Sequence, residues 1–272
     1  MSVRATRAVY RLLLRQARAL DQEGVQQLDI RMPVDKEAWL GRSGGHGWSK
    51  PRDEFHLESL RRLAPWVAEG ATSGSFSPAQ LRALVTRCFR HPPAGSSADD
   101  RIDWAFQSLR LLSEQIQMQR CSSSAETEGV HVEVTTAHVG SQGELDPTFD
   151  PDEEGPEKEF YTYRVRVSNC GKDVVQLLGR HWIIENDKGE VVAEVARGST
   201  GVVGCTPIIK PGECFSYYSG TDVEPPGRGA MHGSFQMAVV DPQRPQQVLR
   251  KFDAEIAPFP FVPPAGGTPG AA

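Results

Sequence analysis

Apolar positions recur every three or four residues through most of the first 120 positions, then every second residue through most of the remaining chain. In residues 3–20, Val9, Leu13 and Leu20 share one side of a helical wheel, flanked by Tyr10, Leu12, Leu14 and Ala17. Arg4, Arg7, Arg11, Arg15 and Arg18 form a narrow stripe on the other side, and no acidic residue occurs before Asp21. Residues 54–68 carry Phe55, Leu57, Leu60, Leu63 and Val67 at helical spacing, and Pro65 is expected to kink or end that helix. Ser77-Pro78-Ala79-Gln80 has the makings of a helix start, with a serine cap, a proline at the first helical position and a glutamine three residues after the cap. That helix points Leu81, Leu84, Val85, Cys88 and Phe89 inward and stops at His91-Pro92-Pro93. After a short flexible link at residues 94–98, Asp99 or Asp100 caps a last helix in which Ile102, Ala105, Phe106, Leu109, Leu112 and Ile116 face the core. Glycine-rich residues 41–51 are expected to form a loop. Residues 1–120 therefore predict a bundle of three or four helices.

Beyond a polar, unpatterned linker at residues 121–129, the period shortens to two. Residues 130–139 alternate as a strand. In residues 160–168, Tyr161, Tyr163, Val165 and Val167 share one face, and Thr162, Arg164 and Arg166 share the other. Apolar runs at 174–178 and 181–184 read as two short strands. Asn186-Asp187-Lys188-Gly189 reads as a hairpin turn into a strand at 190–196, and Lys210-Pro211-Gly212-Glu213 as a turn into 214–219. Residues 231–240 and 248–256 add two more strands. About eight short strands with no helical pattern between them predict an antiparallel sandwich. The fold class is thus α+β in two domains: a helical bundle at 1–120 and a β-sandwich at 130–263, with a disordered tail at 264–272. Phe259-Pro260-Phe261 is expected to cover a sheet edge.

The net charge of −5 conceals an asymmetry: residues 1–120 carry 18 Lys+Arg against 13 Asp+Glu, and the remainder carry 12 against 22. An acidic sandwich is a poor general ligand for nucleic acid, whose affinity is dominated by phosphate contacts, so no nucleic-acid partner is expected. Five cysteines without a CxxC spacing argue against a disulfide framework or zinc module and for a reducing, intracellular compartment. No apolar run is long enough for a membrane span. Whether the location is mitochondrial or cytoplasmic and nuclear stays open, because an arginine-rich, acid-poor helix at the start also has the character of a mitochondrial presequence.

Two resemblances add to this pattern. Arg180-His181-Trp182-Ile183-Ile184, Gly201-Val202-Val203-Gly204 with Pro207, Pro211-Gly212-Glu213, Tyr218-Ser219-Gly220, and the run from Met231 to Met237 occur in the order found in the ApaG domain family. The resemblance covers residues 130–263. It implies an immunoglobulin- or fibronectin-III-like sandwich, and a partner-binding role such as the domain has in some F-box proteins. Val9-Tyr10-Arg11-Leu12-Leu13-Leu14-Arg15 resembles the start of an LYR-motif protein, with valine where that family has leucine. That resemblance implies a mitochondrial assembly factor whose positive helix, through Tyr10, Arg11 and Arg15, meets the acidic acyl carrier protein. A solvated charge stripe on a bundle helix is the third reading of the same residues.

The expected function is a non-enzymatic protein–protein interaction adaptor. Its sandwich would dock a partner through Arg180, His181, Trp182, Gly201, Gly204 and Pro226, on loops clustered at one end. The alternative is a phosphate- or nucleotide-binding, even hydrolytic, domain in which Arg197, Gly198, Gly201 and Gly204 hold the anion in a backbone nest. Phosphate loops usually feed a helix N-terminus, whereas here Pro207 and a strand follow. No catalytic residue, cofactor or metal site is expected: His131 and His138 lie seven apart on one strand and so face opposite ways, and no nucleophile motif occurs. Asp146, Asp150, Asp152, Glu153 and Glu154 could hold a hard cation, but their spacing does not fit a calcium loop and a solvated loop is the expectation.

Overall fold

A computed structural model describes residues 3–38, 45–92 and 94–264. In chain order the elements are α1 (Val3–Gln22), β1 (Leu28–Asp29), β2 (His46–Ser49), α2 (Arg52–Leu63), α3 (Pro65–Ala68), β3 (Ser75–Phe76), α4 (Pro78–Arg90) and α5 (Ala98–Arg120). There follow β4 (Ser122–Thr127), β5 (Val130–Ser141), α6 (Gln142–Leu145), α7 (Pro151–Glu154), β6 (Glu159–Asn169), β7 (Val175–Asn186) and β8 (Val191–Thr200). The last strands are β9 (Ile208–Ile209), β10 (Cys214–Val223), β11 (Gly229–Asp241) and β12 (Arg244–Phe261). The chain divides into two compact units, Met1–Pro33 with Arg52–Arg120, and Val34–Pro51 with Cys121–Ala272. The tail expected to be disordered lies, from residue 265 on, outside the described residues.

In the first unit, α1 packs against α4 and α5. Val9, Leu13, Ala17 and Leu20 are buried against Leu81 and Val85 of α4 and Ala105, Leu112 and Ile116 of α5. Pro65 ends α2 and opens the single turn α3. A short antiparallel ladder that the sequence period does not show joins β1 to β3, pairing Leu28 with Phe76. The capping box of α4 is complete: Gln80 N donates to Ser77 Oγ at 3.2 Å and Ser77 N donates to Gln80 Oε1 at 2.8 Å. Ser77→Ala therefore costs about 1 kcal/mol, read as an earlier loss of helical circular dichroism in urea. Among the described residues, no helix is long and apolar enough to cross a membrane.

The second unit holds two antiparallel sheets. One has the strand order β2-β10-β6-β5-β4; the other has the order β12-β11-β7-β8, with β9 paired to β7. Alternation places Val132, Val134, Tyr163, Val165 and Tyr217 of the first sheet in one core with Leu177, Trp182, Phe235, Met237 and Ile256 of the second. Tyr163 meets Trp182 at 6.0 Å and Tyr217 meets Phe235 at 6.4 Å between ring centroids.

The structure changes several expectations here. The stretch read as a linker is β4, paired with β5 from Ser122↔Thr135 to Thr127↔Val130. Its low hydrophobicity suits an edge strand with one solvated face. Of the stretch expected to be loop, residues 41–44 lie outside the described residues, and His46–Ser49 forms the opposite edge of the same sheet, Phe215 pairing with Trp48. The runs at 174–178 and 181–184 form one strand, β7, interrupted by a register shift against β11. Phe259 and Phe261 lie fully in the core at the end of β12, so they build the sandwich and do not merely cover an edge. Both faces of β6 are buried, including Arg164 and Arg166. In the acidic insertion, Thr148 N donates to the Asp146 carboxylate at 2.9 Å and Asp152 N to the Asp150 carboxylate at 3.0 Å, so these side chains cap turns.

Candidate functional site

The register shift in β7 decides which side chains enter the sandwich. Against β11, Gly179 pairs with Gln236 but Leu177 pairs with Met237, so one extra residue is accommodated at positions 178–179. A bulge inverts the inward parity of a strand. Val175 and Leu177 point into the core before it, and Trp182 and Ile184 after it. Arg180 consequently falls in phase with Trp182 and Ile184, on the inward face.

There it borders a cavity of about 380 Å³ between the sheets, whose walls include Tyr163, Trp182, Tyr217, Val202 and Met231. Arg180 is the sole charged side chain among the lining residues. Its Nη1 donates to Gly201 O at 2.6 Å and to Thr200 O at 3.2 Å. Those bonds fix the guanidinium plane, and among the described residues no carboxylate pairs with it. Tyr217 is 2% exposed, and among the described residues its hydroxyl has no hydrogen-bond partner. Burial pushes the Tyr217 phenol well above its ordinary pKa, with Tyr163 adding to the rise and the Arg180 guanidinium opposing it. Burial likewise raises Tyr163, while a hydrogen bond with Ser219 and the Arg180 charge pull the other way. Both hydroxyls therefore remain protonated donors across the physiological range.

The glycine loop closes on itself. Val202 and Cys205 exchange backbone bonds of 2.9 and 2.8 Å around a two-residue turn in which Val203 and Gly204 have φ of 43° and 78°. Gly201 N donates to Leu178 O at 2.8 Å and Gly198 N to the Gln236 side chain at 3.3 Å. A Cβ at Gly201 would lie 2.4 Å from Cys205 O, so the position requires glycine. No helix follows the loop; β9 does. Arg197 forks onto the Asp253 carboxylate at 2.7 and 2.8 Å on the exposed surface. The anion nest expected from Arg197, Gly198, Gly201 and Gly204 is thus occupied by internal bonds at Arg197, Gly198 and Gly201.

The expected docking residues do not form one surface. Trp182 is buried in the core, because its parity faces inward, and is no exposed anchor. His181 faces the other way and pairs with Glu194 at 3.0 Å. Gly201 is buried and Gly204 is exposed at the turn tip. Pro226 is exposed in a turn that is tied instead to β6, where Tyr161 Oη donates to Gly227 O at 2.6 Å. On α1, Arg11 and Arg15 are exposed. Tyr10 is turned inward, its ring 5.1 Å from Phe89, and is a packing residue. Tyr217 was missed as a site residue. Its signal was the spacing of Phe215 and Tyr217, which puts a hydroxyl on a face that is otherwise apolar.

A larger groove of about 620 Å³ crosses the helical unit beside Trp66, Phe89 and Trp104. None of its described lining side chains holds a buried polar atom without a partner. The sandwich cavity has one, and for that reason is the candidate site.

A family model described as "ApaG domain" matches residues 150–239, inside the sandwich unit. Protein ApaG of Anaeromyxobacter dehalogenans (strain 2CP-C) is 39% identical over 142 residues, 52% of this chain and 96% of the relative. The chain belongs to the ApaG domain family. Protein ApaG of Methylobacterium sp. (strain 4-46) is 36% identical over 134 residues, 48% of this chain and 92% of the relative. A solved ApaA protein from Bordetella pertussis is 31% identical, covering 50% of this chain and 94% of that one, with a TM-score of 0.38. The cavity residues Tyr163, Arg180, Trp182, Val202 and Tyr217 all lie within the matched ApaG segment.

Proposed function

We propose that the chain is a non-enzymatic adaptor: an ApaG domain, as an immunoglobulin- or fibronectin-III-like sandwich, joined to a helical unit that docks an acidic protein through α1. The observation that carries this reading is the state of the arginine stripe. Arg7, Arg11, Arg15 and Arg18 are exposed, and none has an ion-pair partner among the described residues. Such a stripe does not help the helix. Like charges three or four residues apart cost a few tenths of a kcal/mol per pair, and no acidic residue in the preceding turns offsets them. A surface that is unfavourable by itself and fully presented suits an anionic partner, whose carboxylates would be steered to it and would relieve the repulsion. The docking set is Arg7, Arg11, Arg15 and Arg18; Tyr10, engaged inside the helical unit, does not belong to it.

The test is charge reversal in the full-length chain. Arg11→Glu with Arg15→Glu should abolish capture of an acidic partner, and Arg11→Lys with Arg15→Lys should retain it, both at unchanged thermal stability. An interactome unaltered by the reversal would rule out the docking role. Phosphate binding at the glycine loop is the weaker reading, since Arg197 and two of the loop amides are already bonded.

A further inference from the structure

The sandwich cavity presents a problem of physical chemistry that the adaptor reading leaves untouched. The Arg180 guanidinium stands half-buried in a chamber of mixed polar and apolar lining, with no carboxylate paired to it among the described residues. The buried Tyr217 hydroxyl of the same lining has no hydrogen-bond partner among them. A buried donor left unsatisfied is costly, and a cation removed from water costs more. Both costs disappear if an anion enters. We propose that this cavity binds a small organic acid, its carboxylate held by Arg180 and Tyr217 and its apolar body lodged against Trp182, Ile184 and Met231.

The geometry supports each part. Nη1 of Arg180 is committed to Gly201 O and Thr200 O. The remaining edge of the guanidinium, Nε with Nη2, is the fork that matches a carboxylate with two parallel bonds. The Tyr217 hydroxyl can donate to the same group, and the high pKa of that phenol prevents it from ionising and competing as the anion. The lining offers one positive charge and no acid, which matches a monoanion. A phosphate monoester, carrying about −1.5 to −2 near neutral pH, would remain under-compensated. A volume of about 380 Å³ falls at the small end of ligand pockets and admits an aromatic-ring-sized body. Trp182 and Tyr163, with ring centroids 6.0 Å apart, supply flat apolar walls. The same bonds tie the ligand to the loop: Arg180 holds Gly201 O, so the cation that receives the acid also fixes the Val203-Gly204 turn.

Calorimetric titration of the full-length chain with benzoate tests this, with phenyl phosphate and inorganic phosphate as parallel arms. Benzoate should saturate with a dissociation constant of about 1 mM or tighter, as expected for so small a ligand. Phenyl phosphate should bind more weakly and inorganic phosphate not measurably. Tyr217→Phe removes only the hydroxyl. It should melt at the same temperature or higher, because it relieves an unsatisfied donor, and should weaken benzoate about tenfold. Arg180→Gln should weaken it at least as much. The proposal is overturned if benzoate gives no saturable heat up to about 10 mM. It is also overturned if inorganic phosphate binds as tightly, or if the folded Tyr217→Phe variant keeps full affinity. None of these outcomes depends on the arginines of α1, so failure here and failure of the adaptor reading are separable.

Discussion

Gly233→Ala should destabilise the sandwich unit by about 4 kcal/mol or more, enough to leave much of it unfolded at 37 °C. Gly233 lies on β11 opposite Trp182 of β7, with φ of +151°. A Cβ there would stand 2.0 Å from His181 O and 2.9 Å from His181 C. Both atoms are backbone of the adjacent strand and cannot swing away as a side-chain tip would. Relief requires the β7–β11 ladder to part at the residue that seats Trp182 in the core, exposing Phe235 and Phe259, which meet that indole at 5.8 and 5.9 Å. The neighbouring His232→Ala is the control: it removes only a half-exposed contact with Glu185 at 3.3 Å, worth at most about 1 kcal/mol. Guanidinium unfolding followed by tryptophan fluorescence would measure both. A Gly233→Ala variant within about 1 kcal/mol of the parent would mean that the two backbones are not so close.

Arg166→Met should cost about 3–5 kcal/mol. Arg166 is 1% exposed; its Nη1 donates to the Glu133 carboxylate at 3.0 Å and its Nη2 to Lys50 O at 2.6 Å. Removing the guanidinium takes a charged partner from a buried carboxylate and a donor from a backbone carbonyl of the segment that brings β2 to the sheet. Methionine keeps most of the volume, so the loss reports charge and hydrogen bonding more than packing. Arg166→Met with Glu133→Leu should recover a large part of the stability, because a buried ion pair replaced by apolar groups of similar size is often close to neutral. If the double variant is as unstable as the two single losses added together, the residues do not act as a pair.

Much of the local architecture was readable in the chain. The helical periods of residues 3–20, 81–89 and 102–116 each became a helix, and Ser77-Pro78-Ala79-Gln80 became a complete capping box. The last helix, however, is capped by Ser97, with Asp99 and Asp100 in its first turn, and Phe106 is exposed. Alternation in residues 160–168 became β6, with Tyr161, Tyr163, Val165 and Val167 on one face as expected and both faces buried. The candidate site was less accessible. Arg180 was expected on a docking surface and Trp182 either in the core or as an outward anchor; both line the cavity inside the sandwich with Tyr217, which no motif singled out. A polar group marks a site by its environment, and the environment of Tyr217 is made by residues from β6, β7 and β11 that sequence spacing does not bring together. The glycine loop was conspicuous for its composition, yet its hydrogen bonds are spent within the sheet, so glycine there answers the demand of a tight turn.

The amino-acid order alone determined whatever depends on near neighbours: helix and strand periods, most caps and turns, the arginine stripe on α1 and the charge contrast between the two halves. These arise from interactions within a few residues, where the backbone repeat itself brings the partners together. Tertiary structure decided three matters. It recruited residues 46–49 to the edge of a sheet whose other strands begin 73 positions later, at Ser122. It made an edge strand of residues whose polarity had suggested a linker. It also set, through one extra residue at positions 178–179, the face on which Arg180 stands. Each depends on pairing between distant strands, where a shift of one residue reverses which side chains meet the core while leaving the local pattern unchanged.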